Sequence, residues 1–395
     1  MKFVFLFYFF LLGFKVLGQG DISKSVIDSS KNMIQNVQND KHWILFAQKV
    51  HRLKSERKGT ITIVQLGDSH IQGGYFTNKV RELLNNQYGV AGRGLVFPYS
   101  LVNTNGPEDI KYYSSSKWTG QKYNLNIKDG KTSIAGYNLW ANDTSAELSF
   151  VLKQGSDTLF PFNEVVLYHN NPSLQVRCSQ KNQKILNTGE NNFYSTRLIF
   201  NTLLNSVQLY LSVSDTAKRR LAIYGIELVN RKPGIVYHSM GSNGTTYEVL
   251  SKSIDYLPML KELHPDCIVI SLGTNDAYRR PVDTLMLKKR ITSVIDDIKK
   301  ELPGTCILLT TPGDHLLDKQ YPNPNLVKAQ SAIIQAAREE NCVFWDFFEV
   351  MGGVYSSKKW ANHGLMYKDM VHLSKEGYQL EGELFFEALQ RAIEK

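Results

Sequence analysis

The chain has 395 residues, 42% of them hydrophobic and 21% charged. That composition excludes a disordered chain, and the length gives room for two domains or for one domain carrying a large insertion. The formal net charge is +9, but the basic residues are scattered rather than clustered with aromatics, so nucleic acid is not an expected partner. The four cysteines show neither a disulfide framework nor metal-ligand spacing. Cys267, Cys306 and Cys342 fall in apolar runs, where free cysteine behaves as a small buried hydrophobe. Cys178 stands alone in another region, and one incidental bridge stays open.

Met1-Lys2 is followed by an almost wholly apolar, Phe-rich run from Phe3 to Phe14, and Val16-Leu17-Gly18 offers a cleavage site before Gln19. These are the parts of an export signal, expected over residues 1–18. The run is too short to span a membrane comfortably, and Lys15 interrupts its end. The mature chain is therefore expected to be periplasmic or extracellular and not an integral membrane protein. No cysteine follows the cleavage site, so no lipid attachment is expected. Loss of Lys2 and Lys15 lowers the charge from +9 to +7. A basic exported chain suits an anionic envelope polymer, although a generic soluble surface accounts for the charge equally well.

Residues 24–56 read as helix, with Trp43, Ile44, Phe46, Ala47, Val50 and Leu53 at helical spacing. An apolar strand follows at 61–66, then Gly67-Asp68-Ser69-His70, an amphipathic helix from Phe76 to Leu84, and a glycine-rich loop at 88–94. From about 107 to 231 the pattern changes to short alternating runs, such as Val207, Leu209, Leu211 and Val213 set between Gln208, Tyr210 and Ser212. Short strands at this spacing predict an all-β sandwich. From Pro233 onward, strand-like runs at 234–238, 267–272, 305–310 and 342–346 alternate with helix-like segments at 246–263, 282–302, 324–340 and 374–393. That alternation predicts a parallel sheet covered on both faces. Its first strand is the one before Ser69, so residues 107–231 form an insertion into a discontinuous α/β domain of residues 24–106 and 232–395.

Four segments carry the chemistry. Gly67-Asp68-Ser69 ends a strand, where open α/β sheets place their sites, so Ser69 is a candidate nucleophile that needs a base. Gly241-Ser242-Asn243-Gly244-Thr245-Thr246 lies between a strand and a helix; Gly244 lets a ligand approach the backbone, or the segment is an ordinary capped turn. In Ser271-Leu272-Gly273-Thr274-Asn275-Asp276, the Asn275 amide either donates to a developing oxyanion or closes the strand as an Asx-turn. Asp369-Met370-Val371-His372 precedes the last helix, and its carboxylate can bond the Nδ1 of His372 within one turn, leaving Nε2 free as a base.

The order and context of these blocks resemble the SGNH/GDSL hydrolase family over residues 60–100 and 233–395. His70 stands where the family's name-giving leucine would be, and the long insertion is similar to that of the peptidoglycan O-acetylesterase-like subgroup, whose hydrolase is interrupted by a carbohydrate-binding-like β domain. The resemblance implies a three-layer α/β/α flavodoxin-like hydrolase domain with an inserted, jelly-roll-like β-sandwich. It implies ester hydrolysis by Ser69, His372 and Asp369, with an oxyanion held by the Ser69 and Gly244 N–H groups and the Asn275 side chain, and no cofactor or metal. The expected partner is an acetylated glycan, with peptidoglycan as first choice of polymer. Another acetylated polysaccharide, a free sugar, a lipid ester, an O-acyltransferase reaction and an inactive glycan-binding protein remain as alternatives. There is no GxSxG elbow and no HExxH.

Other residues carry two readings each. His70 and His363 either line the substrate site or serve structure. Asp68 reads as a turn-former rather than an acid. Asp314-His315 is a possible rim pair. Trp118, Trp140 and Tyr168 of the insertion either stack on sugars or fill its core.

Overall fold

A computed structural model of the chain describes residues 26–122, 133–153, 160–180, 183–190, 193–214, 220–278 and 281–394. The predicted export signal lies outside them. Five parallel strands form the central sheet: β1 (Thr60–Gly67), β2 (Gly234–Gly241), β3 (Cys267–Ser271), β4 (Cys306–Thr310) and β5 (Val343–Trp345). They lie in the order 2-1-3-4-5, and the short segment Ile34–Gln35 pairs antiparallel on the β5 edge. This is the flavodoxin-like winding, whose strand order reverses between β1 and β3 and opens a crevice at their carboxyl ends.

Alternation along each strand sends side chains to two layers. Ile61, Ile63, Val269, Leu308 and Trp345 pack with Phe46 and Val50 of helix α1 (Lys41–Glu56), Val80 and Leu84 of α2 (Tyr75–Tyr88), and Phe385 and Leu389 of the last helix. Val64, Leu66, Ile268, Ile270, Ile307 and Phe344 face Ile291 and Val294 of α3 (Thr284–Glu301) and Ile333 of α4 (Asn325–Glu339). The last helix, α5 (Lys375–Ile393), is capped by Ser374, whose hydroxyl accepts from Gly377 N–H.

Two helix boundaries differ from the sequence reading. The first helix begins at Lys41, not near residue 24, because Asp40 caps it by accepting from His42 and Trp43 N–H. The segment 246–263 is three short pieces, Tyr247–Ser251, Ile254–Tyr256 and Leu257–Glu262, with Pro258 in the first turn of the last one. Proline fits a first turn but removes an interior helix hydrogen bond.

The insertion consists of two antiparallel sheets. One has the order 183–190, 193–204, 162–169, 222–229, 137–141, 118–122, and the other 110–113, 145–152, 206–213, 174–178. Leu148, Phe150, Leu209 and Leu211 point inward and are buried, as their alternation with polar residues requires. The glycine-rich segment expected as a loop is in part a strand, Gly92–Val96, which pairs with 222–229 of the insertion. A side chain at Gly92 (φ +128°) would come within 2.5 Å of Leu228 O and Val229 Cα, so this close approach requires glycine there. The core of the α3/α4 layer runs without a break into the insertion through Leu95, Val96 and Ile226.

All four cysteines are free; Cys267 and Cys306 are register partners on β3 and β4. Trp118 and Trp140 pack against the insertion core, and Tyr168 is buried with its hydroxyl donating to Glu227 at 3.0 Å. Among the described residues, no helix is long and apolar enough to cross a membrane.

Candidate active site

At the end of β1 the chain turns into a single helical turn, Ser69–Gln72. Asp68 caps it, accepting from His70 N–H at 3.0 Å. The turn is tight: a Cβ on Gly67 would lie 2.2 Å from Ile71 Cγ1 and 2.9 Å from Ser271 O. Ser69 is thereby fixed at the crevice beside β3.

Asp369 and His372 come from the loop ahead of α5. One Asp369 oxygen, Oδ1, accepts from the N–H groups of Val371 and His372, both at 2.9 Å. Its Oδ2 lies 2.7 Å from His372 Nδ1. A carboxylate only accepts, so Nδ1 carries the proton. Nε2 is left to accept from the Ser69 hydroxyl at 2.9 Å. Burial pushes the Asp369 carboxyl up, but the His372 and Val371 N–H groups more than offset this and hold it below its usual value. The structure thus brings Ser69, His372 and Asp369 into one hydrogen-bonded relay. It borders a cleft of about 500 Å³ whose walls include Asn275, Tyr278, Lys319 and Val371.

The segment after β2 crosses beside the Ser69 turn: Ser242 N–H donates to Gly67 O at 3.1 Å and Asn243 N–H to Gln72 Oε1 at 2.7 Å. Gly244 has φ +76°, and a Cβ there would meet only Lys122 Nζ, at 3.9 Å. Among the described residues, no acceptor takes the N–H of Ser69 or Gly244. Asn275 lies across from them with both amide hydrogens engaged, one to Asp68 Oδ2 at 3.0 Å and one to Thr245 O at 3.1 Å. The amide therefore bridges the first and second blocks and must share a hydrogen with any oxyanion.

Two buried carboxyls support this frame. Burial raises Asp68 to about 6, against the bonds from His70 N–H and Asn275. Burial likewise raises Asp276, which accepts from Tyr247 N–H at 3.1 Å, to about 7. Asp68 is thus a cap and anchor, as its turn-forming reading anticipates.

The remaining candidates separate. His70 stacks on His372, ring centroids 4.9 Å apart at 27°. His363 is exposed beyond helix Ser356–Asn362, with Nδ1 donating to Lys359 O at 2.9 Å, and does not line the cleft. Asp314 is no rim residue: it is buried and accepts from Ser357 N–H and Oγ–H. His315 is buried against Asn323 and lowered to about 4 by burial.

Sequence reasoning missed two contacts. Lys122, from the insertion, donates to Asn243 O at 2.6 Å. Tyr378 bonds His70 Nδ1 at 2.9 Å, and the only trace of it in the sequence is its place early in α5, soon after His372. Among the described residues, no cluster of His, Cys, Asp or Glu is arranged to hold a metal ion.

Residues 212–380 match the GDSL-like lipase/acylhydrolase family. The match takes in Gly244, Asn275, Asp369 and His372 and leaves out Ser69, which the insertion separates from them. A solved structure of a peptidoglycan O-acetylesterase is similar over 88% of this chain and 96% of its own, with a TM-score of 0.73 and 22% identity; at that identity the likeness is one of fold. An acetyl xylan esterase (TM-score 0.31, 20% identity, 39% of this chain and 80% of its own) and an acetyl-xylooligosaccharide esterase from Geobacillus (0.32, 23%, 40% and 73%) align more weakly. No curated protein gives a significant match. Over residues 212–380 the chain is thus similar to the GDSL-like lipase/acylhydrolase family of esterases, and along nearly its whole length it shares the fold of the O-acetylesterase structure.

Proposed function

We propose that this protein is an exported serine esterase that removes O-acetyl groups from a glycan of the cell envelope or its surroundings. The observation that carries the reading is the relay of Ser69 Oγ, His372 and Asp369, at 2.9 and 2.7 Å. Ser69 Oγ attacks the acetyl carbonyl while His372 Nε2 takes its proton. The tetrahedral oxyanion sits against the Ser69 and Gly244 N–H groups and shares the Asn275 amide. His372 then returns the proton to the leaving sugar hydroxyl, giving an acetyl-Ser69 enzyme. Water attacks that ester with His372 again as base, freeing acetate and restoring the hydroxyl. The His372 side chain is 36% exposed, which gives water access for the second half.

Peptidoglycan is the polymer we favour. The solved structure that matches along nearly the whole chain, insertion included, is that of a peptidoglycan O-acetylesterase. The basic net charge and the N-terminal signal-like segment fit an anionic envelope polymer. Acetate release from a panel of acetylated glycans, with Ser69→Ala as control, tests the proposal. Release from peptidoglycan that is lost in Ser69→Ala is expected. Equal slow release by both proteins refutes the esterase reading, and release from xylan alone refutes the polymer. Transfer of acetyl to an added sugar in place of acetate release turns the reading to an acyltransferase.

A further inference from the structure

His70 is the residue next to the proposed nucleophile that the relay does not use. Its ring lies against the ring of His372, 4.9 Å between centroids and 27° from parallel, the offset stack that aromatic rings favour. Its Nδ1 is tied to Tyr378 OH at 2.9 Å. With the Tyr378 hydroxyl as the donor in that bond, His70 carries its proton on Nε2. That Nε2 atom is buried and has no partner among the described residues. The His70 ring lines a small pocket with room of about 30 Å³, shared with Asp68, Thr310, Thr311, Asp314 and Glu381. Such a space, polar on several sides, holds about one or two waters.

Resting on the esterase reading above, we propose that His70 is a positioning residue for the base: a neutral ring, held by Tyr378 and by water in the cavity behind it, that fixes the plane of His372 and faces its cation when it forms. Attack by Ser69 converts His372 to an imidazolium, and a stacked neutral ring favours that cation over the neutral base. A charged His70 would do the opposite. The titratable groups around His70 come from four places. They are Asp68 on its own turn, His372 and Asp369 from the loop before α5, His315 and Asp314 from the loop after β4, and Tyr378 and Glu381 from α5. Burial, His372 and His315 hold the His70 imidazole well below its ordinary value, against Asp369. Burial raises Glu381 to about 8, so at neutral pH it adds little charge to draw a proton onto His70.

The test uses the mature protein, a small chromogenic acetyl ester, and the variants His70→Leu, His70→Phe and Tyr378→Phe. His70→Leu is expected to lower kcat/KM about tenfold, the scale of a cation–ring contact in a partly desolvated site, with KM nearly unchanged. The acidic limb of its kcat/KM profile should move to lower pH. His70→Phe keeps a ring and has the cavity behind it for the extra volume, so it should recover most of the rate and the limb. Tyr378→Phe should fall between. An unchanged rate and limb in His70→Leu, or a limb moved to higher pH, overturns the proposal while leaving the esterase reading intact. If the wild type itself does not cleave the ester, the esterase reading fails separately. The 15N-imidazole titration is a second readout: a ring at position 70 that takes up a proton above about pH 6 overturns the proposal.

Discussion

Replacing Asp369 by asparagine tests the relay through one oxygen. Oδ1 is pinned by two backbone N–H groups, those of Val371 and His372, at 2.9 Å each. In Asp369→Asn the amide oxygen keeps that place, which turns the NH2 group toward His372 Nδ1. Nδ1 must then accept, the proton moves to Nε2, and the imidazole no longer takes a proton from Ser69. Flipping the amide restores the tautomer but sets NH2 against two N–H donors, at about 1–3 kcal/mol each. A total of about 2–6 kcal/mol, at 1.36 kcal/mol per decade, leaves the competent form at about one part in 30 to about one in 3 × 10⁴. We expect kcat/KM for an acetyl ester to fall about 10³-fold, with the melting temperature within about 2 °C of wild type. The assay is initial-rate acetate release on protein whose fold is checked by circular dichroism. A variant that is folded and keeps more than about a tenth of the activity would falsify the tautomer argument.

Two further outcomes concern stability. The Asp68 carboxyl is raised from 3.8 to about 6 by burial, so the folded state holds its proton more tightly than the unfolded chain. Its contribution is full at low pH and is lost as pH rises from about 4 through about 6, by about 3 kcal/mol at most. Asp68→Asn should therefore gain stability relative to wild type between pH 4.5 and 8, and an equal difference in denaturant midpoint at both values would sink the argument. At the entry to the insertion, burial pushes Asp109 up, but Arg93 more than offsets it and leaves the carboxyl at about 2. Asp109 also accepts from Asn78 of α2 at 3.1 Å. Asp109→Ala strands the buried Arg93 guanidinium and should cost about 3–5 kcal/mol in urea unfolding; a loss under about 1 kcal/mol would show that water already pairs it.

What the sequence made legible follows the range of each signal. The alternation of strand and helix after Pro233 is local, and all four expected strands and three of the four expected helices form near their expected places. The relay was legible because Asp369 and His372 are one turn apart and the three other blocks each end a strand or precede a helix. Signals that depend on one cap or one breaker went astray: Asp40 cut the first helix short, and Pro258 marks the break in another. Contacts between distant segments left almost no trace. Nothing near His70 announces Tyr378, Lys122 gives no sign that it will meet Asn243, and glycines at 92 and 94 read as loop until the strand beside them is known.

That glycine-built strand has a consequence for how the molecule works as a machine part. Gly92–Val96 is hydrogen-bonded into the insertion's sheet although it precedes the insertion in the chain, and the apolar interior passes between the two without a seam. The insertion is thus not a tethered module that swings toward a polymer and back. Excising residues 107–231 would strip a strand of its neighbour and open the hydrolase interior to water, so a trimmed enzyme should aggregate rather than simply lose affinity.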